Sequence, residues 1–422
     1  MGSAQLAAFE TVLDSPPMQE IVFDKPYQFI PPHRGTWWPW WIQRLRLVDW
    51  HLRSRYGVES LECRHSERLR KSIDAGHGIM LTPNHARPCD GLVIGALARE
   101  VGCHVFVMAS WHLFQQDWFS AWAIPKMGAF SIYREGIDRR AINEGIRILE
   151  QAERPLVVFP EGAVFRSNDR IQALLDGVSF MARSAAKKRV RGQRHGKVVI
   201  HPVGIKYLFG GDLAAAVEPV LSDIEHRLTW RPRGKLPLIE RIGKIGQGLL
   251  ALKEIEFMAS PGVENLEQRL EDLVNQLLNP LEEEWLGGPL SDDVVPRVKN
   301  LRVKIMPEMV RGDVDEAERM RRWDQLANIY LAQQVASYPA DYVTERPSVD
   351  RLLETVERFE EDLTDKVRTH GHLKCVMDVG EAIEVNVNRD RAAKVDPLMQ
   401  RIGQDLQGIL NELAAESPVW IE

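Results

Sequence analysis

The sequence predicts an α/β fold with a mostly parallel sheet flanked by helices, a helical insertion before the last strand and a C-terminal helix. Three observations carry that reading. Between about Gly78 and Gly210, short apolar runs alternate with helical periodicity, the pattern of βαβ units whose sheet is covered on both faces. Strand signals then cease, and helical patterns follow. One strand pattern, Leu373–Val379, returns near the end. A strand on its own is unstable in water, so this one has to rejoin the first sheet.

The elements follow in order. Up to about Ser60, Trp37, Trp38, Trp40, Trp41 and Trp50 are interleaved with Arg34, Arg44, Arg46, Arg53 and Arg55. Tryptophan favours membrane interfaces and arginine pairs with lipid phosphates. A tryptophan-rich helix packed on its own domain reads equally well. Ile79-Met80-Leu81 is a buried strand that ends at Asn84-His85, and Pro88 suits the first position of a helix through Leu92, Val93, Ala96 and Leu97. Further strands fall at 105–108, 130–133 and 156–159, and a fifth at 198–200 and 203–205. The helices between them run through Ile137, Ala141, Ile142, Ile146 and Leu149, and through Leu174, Leu175, Val178 and Met181.

Beyond Gly210, Leu266, Leu270, Leu273, Leu277 and Leu281 repeat at helical spacing up to Gly287-Gly288, and 315–337 is another helix. Ser348 caps a helix through Leu352, Leu353, Val356, Phe359 and Leu363 that Gly371 closes. A last helix carries Leu398, Ile402, Leu406, Ile409 and Leu413. The chain thus divides into an N-terminal Trp/Arg-rich membrane-contact segment (1–60), an α/β core (61–210), a helical insertion (211–371), the last strand of the core (372–390) and a C-terminal amphipathic helix (391–422).

Composition narrows the function classes. With 422 residues, 44% hydrophobic and 27% charged, the chain is globular and long enough for two or three domains. It has no uninterrupted apolar stretch of about 18–20 residues, so no conventional spanning helix is expected. No basic region followed by an apolar run opens the sequence, so no secretory signal is expected. Cys63, Cys89, Cys103 and Cys375 are scattered without C-x-x-C pairing, which argues against a zinc ribbon or a disulfide scaffold and fits a reducing cytoplasm. The net charge of −6 hides an asymmetry: residues 1–210 hold 28 Lys and Arg against 20 Asp and Glu, and residues 211–422 hold 26 against 40. The basic half either is simply solvated or faces something anionic. Seven of its cations, from Arg183 to Lys197, form a run without an acid. That run is a solvated helix end or a contact with anionic lipid. It lacks interleaved aromatics, so nucleic acid is not expected as a partner.

The chemistry gathers at His85 and Asp90. On one continuous helix they would lie about 140° apart. Across a loop and a first helical turn, however, the carboxylate can reach back to the imidazole. It would then fix the tautomer and raise the basicity of the other ring nitrogen, which could take a proton from a hydroxyl. Asp90 equally suits the first turn of a helix as a simple cap. Cys89 is either a nucleophile beside His85 or a small buried residue under the loop.

Three more blocks follow: Gly128-Ala129-Phe130-Ser131-Ile132-Tyr133-Arg134, Phe159-Pro160-Glu161-Gly162 and His201-Pro202-Val203. Together with Asn84-His85-x4-Asp90 they make the chain resemble the glycerolipid acyltransferases related to 1-acylglycerol-3-phosphate acyltransferase (PlsC-like, or lysophospholipid acyltransferases). The resemblance covers about residues 60–207 and the stretch Val379–Ile383. It implies transfer of a fatty acyl group from acyl-CoA or acyl-carrier protein to a hydroxyl of a lysophospholipid or 1-acylglycerol-3-phosphate. It implies His85 as general base oriented by Asp90, no cofactor beyond the thioester co-substrate, and a phosphate contact at Arg134. Asn84, Glu161, Gly162 and Arg166 carry over as substrate-binding residues. The third block departs from the family, which usually continues Thr-Arg directly after the glycine; here the run is Ala163-Val164-Phe165-Arg166, so the arginine stands two positions late. A lysolipid acceptor lives in a bilayer, so the resemblance implies a peripheral protein on the cytoplasmic face of a membrane, held by the Trp37–Trp50 stretch and by cations against anionic lipid. The rival expectation is a catalytically inactive lipid-binding or scaffolding protein on the same fold.

Overall fold

A computed structural model describes residues 26–421 apart from 233, 291, 292, 344, 345, 365, 390–392 and 394. The expectation about a secretory signal concerns residues 1–25 and lies outside the described residues. The sheet contains β1 (Val58–Arg64), β2 (Gly78–Pro83), β3 (Phe106–Ser110), β4 (Ala129–Ile132), β5 (Leu156–Val157), β6 (Val198–Phe209), β7 (Leu373–Val379) and β8 (Ile383–Glu384). Their order across the sheet is β1-β7-β6-β2-β5-β3-β4, and β8 lies beside the start of β6. The block β6-β2-β5-β3-β4 is parallel throughout. β7 runs antiparallel to β6 and parallel to β1.

Alternation along each strand sorts side chains onto two faces. Ile79, Leu81, Val157 and Val199 pack on one face, and Met80, Leu156, Val158 and Ile200 on the other. The strands therefore read as continuous apolar runs, because both faces are covered. The first face receives α4 (Asp90–Glu100), α8 (Leu213–Arg227) and α13 (Val349–Thr364) through Val93, Leu97, Val217, Leu221, Leu353 and Val356. The second receives α6 (Arg139–Gln151), α7 (Gly177–Arg191) and α14 (Pro397–Ala414) through Ile146, Leu149, Met181, Leu398 and Ile402. Two short helices, α1 (Trp37–Arg44) and α2 (Leu47–Tyr56), precede β1, α3 (Ser66–Asp74) follows it, and α5 (Trp118–Lys126) joins β3 to β4.

The sheet accommodates Pro202 in the middle of β6 for a specific reason. The Pro202 carbonyl accepts Gly380 N–H (2.8 Å), so the missing Pro202 N–H faces the same side. That is the gap where the partner of β6 changes from β8 to β7, and no ladder bond is lost there.

Several expectations shift. The returning strand β7 does join the first sheet, but in its interior between β1 and β6. β1 was not anticipated, because Val58-Glu59-Ser60-Leu61-Glu62-Cys63-Arg64 at a sheet edge is too polar to read as a strand. α4 begins at Asp90 rather than at Pro88, and α13 ends at Thr364, well before Gly371. Ser348 does cap α13, accepting Arg351 N–H at 3.3 Å.

The inserted helices do not form a separate body. α8, α13 and the start of α9 (Leu238–Met258), through Ile242 and Ile245, share the hydrophobic core of the sheet. A second core belongs to α10 (Leu266–Leu286), α11 (Val294–Arg311) and α12 (Glu316–Ala336), and it holds Leu250 from the far half of α9. α9 thus bridges the two cores. Because α13 is part of the sheet's core, truncating the fully buried Leu352 to alanine should cost about 2–5 kcal/mol and lower one shared unfolding transition. Urea unfolding followed by circular dichroism and tryptophan fluorescence tests this; an early transition confined to helix signal would show that α13 folds apart from the sheet.

Candidate active site

Parallel strands deliver their C-terminal ends to one edge of the sheet. β2 ends in Asn84-His85, β4 in Tyr133-Arg134, and β5 in the Phe159–Gly162 turn. β6 continues past its last pairing with β2, at Val203 opposite Pro83, as far as Phe209. That overhang forms a wall behind the loop at 84–90. Asn84 clips the loop to the wall: its amide donates to the Ile205 carbonyl (2.9 Å) and accepts Ile205 N–H (2.7 Å). The side chain extends the ladder where the backbone leaves it. Asn84 is fully buried, and its role is architectural rather than the substrate contact expected.

His85 and Asp90 do meet. The His85 Nδ1 lies 2.9 Å from Asp90 Oδ2, which leaves Nε2 free to act as a base when Nδ1 carries the proton. Asp90 is wholly buried and is held by two further donors. Arg87 N–H reaches Oδ2 (2.9 Å), and the Tyr207 hydroxyl reaches Oδ1 (2.6 Å). The His85 ring stacks on Phe159 at 4.1 Å, which limits its rotation. Tyr207 was missed by the sequence reading, although it falls two and four residues beyond Ile205 and Val203 on the face that α4 covers. A buried tyrosine hydroxyl in an apolar strand has to find a partner, and this was the available signal.

Glu161 also differs from expectation. Both its oxygens accept backbone N–H groups, from His85 (2.7 Å) and Gln172 (2.9 Å). It positions His85 from behind and is itself inaccessible. Burial pushes its carboxyl up to about 7, against the opposing pull of those two N–H donors. Gly162 has φ +74°, and a Cβ there would sit 2.6 Å from Leu175 Cδ1, so only glycine completes the turn. Its carbonyl accepts Arg134 Nη1 at 2.6 Å. Arg134 stands at the site with its Nε enclosed and unbonded, and burial lowers its pKa.

Arg166 is the clearest correction. Its guanidinium is held bidentately by Glu361 of α13, with Nη2 at 2.8 Å from Oε1. A phosphate could reach it only by displacing that carboxylate. Arg87 is likewise buried and paired to Glu357 of α13 at 2.7 Å. Arg358 from the same helix donates to the Phe165 (3.1 Å) and Arg166 (2.8 Å) carbonyls. The helix anticipated as part of an insertion thus clamps the loops that carry His85 and Glu161. Cys89 is fully buried, and burial pushes its thiol up to about 12, so it is packing and not a nucleophile.

Two surface features complete the geometry. In the cation run from Arg183 to Lys197, Arg183 and Arg189 are buried and the other five side chains are exposed. Arg183 is paired with Asp396 (2.7 Å), Arg189 donates to the Glu150 (2.7 Å) and Gly76 (2.8 Å) carbonyls, and Lys197 pairs with Glu384 (2.6 Å). The end of the run lies against Gly78 at the start of β2, about 20 Å from His85 by strand rise. The tryptophans are different: Trp37 is 59% exposed, Trp50 70% and Trp118 81%. Trp38 packs on Trp122 at 5.1 Å, so α5 with Trp118, Phe119 and Trp122 joins α1 in one aromatic surface. Among the described residues no helix is long and apolar enough to cross a membrane.

A family model described as Acyltransferase matches residues 60–206. The match ends inside β6, so Tyr207 and α13 meet the site residues from outside it.

The buried carboxyls make a pH prediction. Glu354 of α13, bonded to the Tyr342 hydroxyl (2.5 Å), is pushed up to about 7 by burial, as is Glu161. Between the ordinary carboxyl value of 4.5 and about 7 the folded chain binds more protons than the unfolded one. The stability gained from that protonation is complete below 4.5 and is lost as pH rises through about 7. Glu354→Gln, which cannot ionise, should flatten the decline of stability between pH 4.5 and 7 relative to the wild type. Urea midpoints at both pH values measure it, and parallel curves for the two proteins would contradict the assignment.

Proposed function

We propose that this chain, whose residues 60–206 form an acyltransferase domain of the PlsC-like glycerolipid family, moves a fatty acyl group from an acyl thioester to a hydroxyl of a glycerolipid. The donor is acyl-CoA or acyl-carrier protein, and the acceptor is a lysophospholipid or 1-acylglycerol-3-phosphate. The observation that carries the reading is the His85 Nδ1–Asp90 contact at the mouth of the sheet. His85 Nε2 takes the proton of the acceptor hydroxyl as its oxygen attacks the thioester carbonyl. The tetrahedral intermediate collapses, the C–S bond breaks, and the imidazolium returns the proton to the departing thiolate. Asp90 keeps its charge throughout and stabilises the imidazolium. No enzyme nucleophile and no metal is called for in this scheme.

The exposed aromatic surface of α1 and α5 supports a second part of the reading: a peripheral association with the cytoplasmic face of a membrane. Trp, Phe and flanking Arg44, Arg46 and Lys126 are the residue types that sit at headgroup depth. The cations from Arg183 to Lys197, of which Lys187, Lys188, Arg191, Arg194 and Lys197 are exposed, supply a second positive surface for anionic lipid.

The rival reading, an inactive lipid-binding or scaffolding protein, draws on the capture of Arg166 and Arg87 by Glu361 and Glu357. The complete His85–Asp90–Tyr207 relay speaks against it.

An acceptor panel assayed with labelled acyl-CoA and acyl-carrier protein tests the activity. His85→Ala should cut kcat by about 10²–10⁴ while leaving the circular dichroism unchanged; full activity in that variant would sink the mechanism. Tyr207→Phe should lower kcat about tenfold, because one buried Asp90 oxygen loses its donor, with KM for either substrate little changed. For the membrane, Trp37→Ser combined with Trp118→Ser should release the protein from anionic vesicles in co-sedimentation, and wild-type binding should weaken with salt without vanishing. Unaltered binding by the double variant would move the anchor elsewhere.

A further inference from the structure

Arg87 stands on the loop between His85 and Asp90, but its guanidinium leaves that loop. The side chain is buried and meets two groups from distant parts of the chain. The first is Glu357 of α13: Nη2 lies 2.7 Å from Oε2, and Nη1 donates to Oε1 at 3.2 Å. The second is the ring of Tyr207 on β6, whose centroid is 5.3 Å from the guanidinium carbon. That is cation–π range, and such a contact is worth most where water is excluded.

The ring that Arg87 covers is the one that serves the acid. The Tyr207 hydroxyl donates to Asp90 Oδ1 at 2.6 Å, and Cys89 Sγ lies 3.4 Å from the same hydroxyl. Burial, with the Asp90 charge, holds the phenol well above its ordinary value, so the hydroxyl keeps its proton. A cation over the face of a phenol fixes the ring and draws electron density from it, which makes the O–H a stronger donor. The counterion matters for a second reason. A lone buried cation on this loop would be costly and would oppose the imidazolium that forms at His85. Glu357 cancels the charge and leaves the guanidinium over the ring. On the same face of α13, Glu354 is taken by the Tyr342 hydroxyl and Glu361 by Arg166, so Glu357 is the carboxylate addressed to the loop of the base.

We propose that Arg87 is a positioning residue for the general base, acting through the Tyr207 ring on Asp90, and that Glu357 of the inserted helices is its working counterion. The proposal rests on the acyl-transfer reading above. His85, Asp90 and Arg87 lie within the matched residues 60–206, whereas Tyr207 and Glu357 lie beyond them. The insertion thereby contributes to the chemical step rather than to substrate binding. The Arg87 N–H, which also reaches Asp90, survives any substitution but proline, so side-chain variants test the guanidinium alone.

Steady-state kinetics on the full chain decide it, with 1-acylglycerol-3-phosphate and the acyl thioester varied in turn. Arg87→Met combined with Glu357→Leu removes both charges, which spares the fold the cost of a widowed buried ion. This variant should melt close to the wild type, and its kcat should fall about tenfold with both KM values unchanged. Wild-type kcat, or a loss expressed in KM instead, would overturn the proposal. The route through Tyr207 is read from a cycle: in a Tyr207→Phe background the same pair of substitutions should lower kcat by less than about twofold further. A full second tenfold loss would mean that Arg87 acts elsewhere, and would also overturn it. Should the paired variant not fold, Arg87→Lys keeps the charge but not the fork. Its smaller loss of kcat should likewise vanish in the Tyr207→Phe background, and a loss that persists there ends the proposal. If the wild type itself turns over no acceptor, the acyl-transfer reading fails separately. Positioning is then read from the imidazole, as the rate at which diethyl pyrocarbonate modifies His85, followed by peptide mass spectrometry against the exposed His51. That rate should fall by a similar factor in the paired variant and in Tyr207→Phe; an unchanged or raised rate in the paired variant ends the proposal.

Discussion

A carboxylate with no solvent exposure has to be met by hydrogen-bond donors, and at Asp90 that requirement organises the active end of the molecule. Its donors come from three places: the His85 ring on the loop after β2, the Arg87 N–H at the approach to α4, and the Tyr207 hydroxyl on β6. Each fixes a different element. The turn into α4 closes, the β6 overhang is held against the loop, and the imidazole is left with one tautomer that satisfies the acid. Asn84 and Glu161 extend the same logic to the backbone on either side of His85. The base is thus aimed by groups that are themselves locked, which is what a proton transfer of fixed geometry demands.

The inserted helices belong to this arrangement. α13 places Glu354, Glu357, Arg358 and Glu361 against the loops at 84–90 and 159–172, so the charges of two chain segments nearly three hundred residues apart at their extremes neutralise each other in one interface (Arg87 with Glu357, Arg166 with Glu361). Breaking one partner of such a buried pair costs more than the pair contributes when intact. The consequence is positional. The loops around His85 are braced by α13, although the region matched to the family ends before it.

Against that background of paired charges, the aromatic surface of α1 and α5 departs from the rule that large apolar side chains are covered. Local violations of otherwise consistent rules are where function is expected to lie. This aromatic face lies open on the surface, next to α4 and the start of β3 through Gln43 and Pro39.

The sequence by itself determined the α/β class, the five central parallel strands, the return of β7 and the pairing of His85 with Asp90. All of these rest on local patterns: apolar runs, helical periodicity and a short loop spacing. Glu361 and Glu357 could not be read that way. A charged residue on an amphipathic helix looks the same whether it meets water or an arginine from a distant loop, and Arg166 looks free until Glu361 is seen beside it. The edge strand β1 was hidden for a related reason, since its pairing with β7 joins segments more than three hundred residues apart, Val58 with Leu373. Tertiary structure alone decided which cations were neutralised, because that depends on long-range proximity and burial, and neither has a signature in the residues flanking a charge.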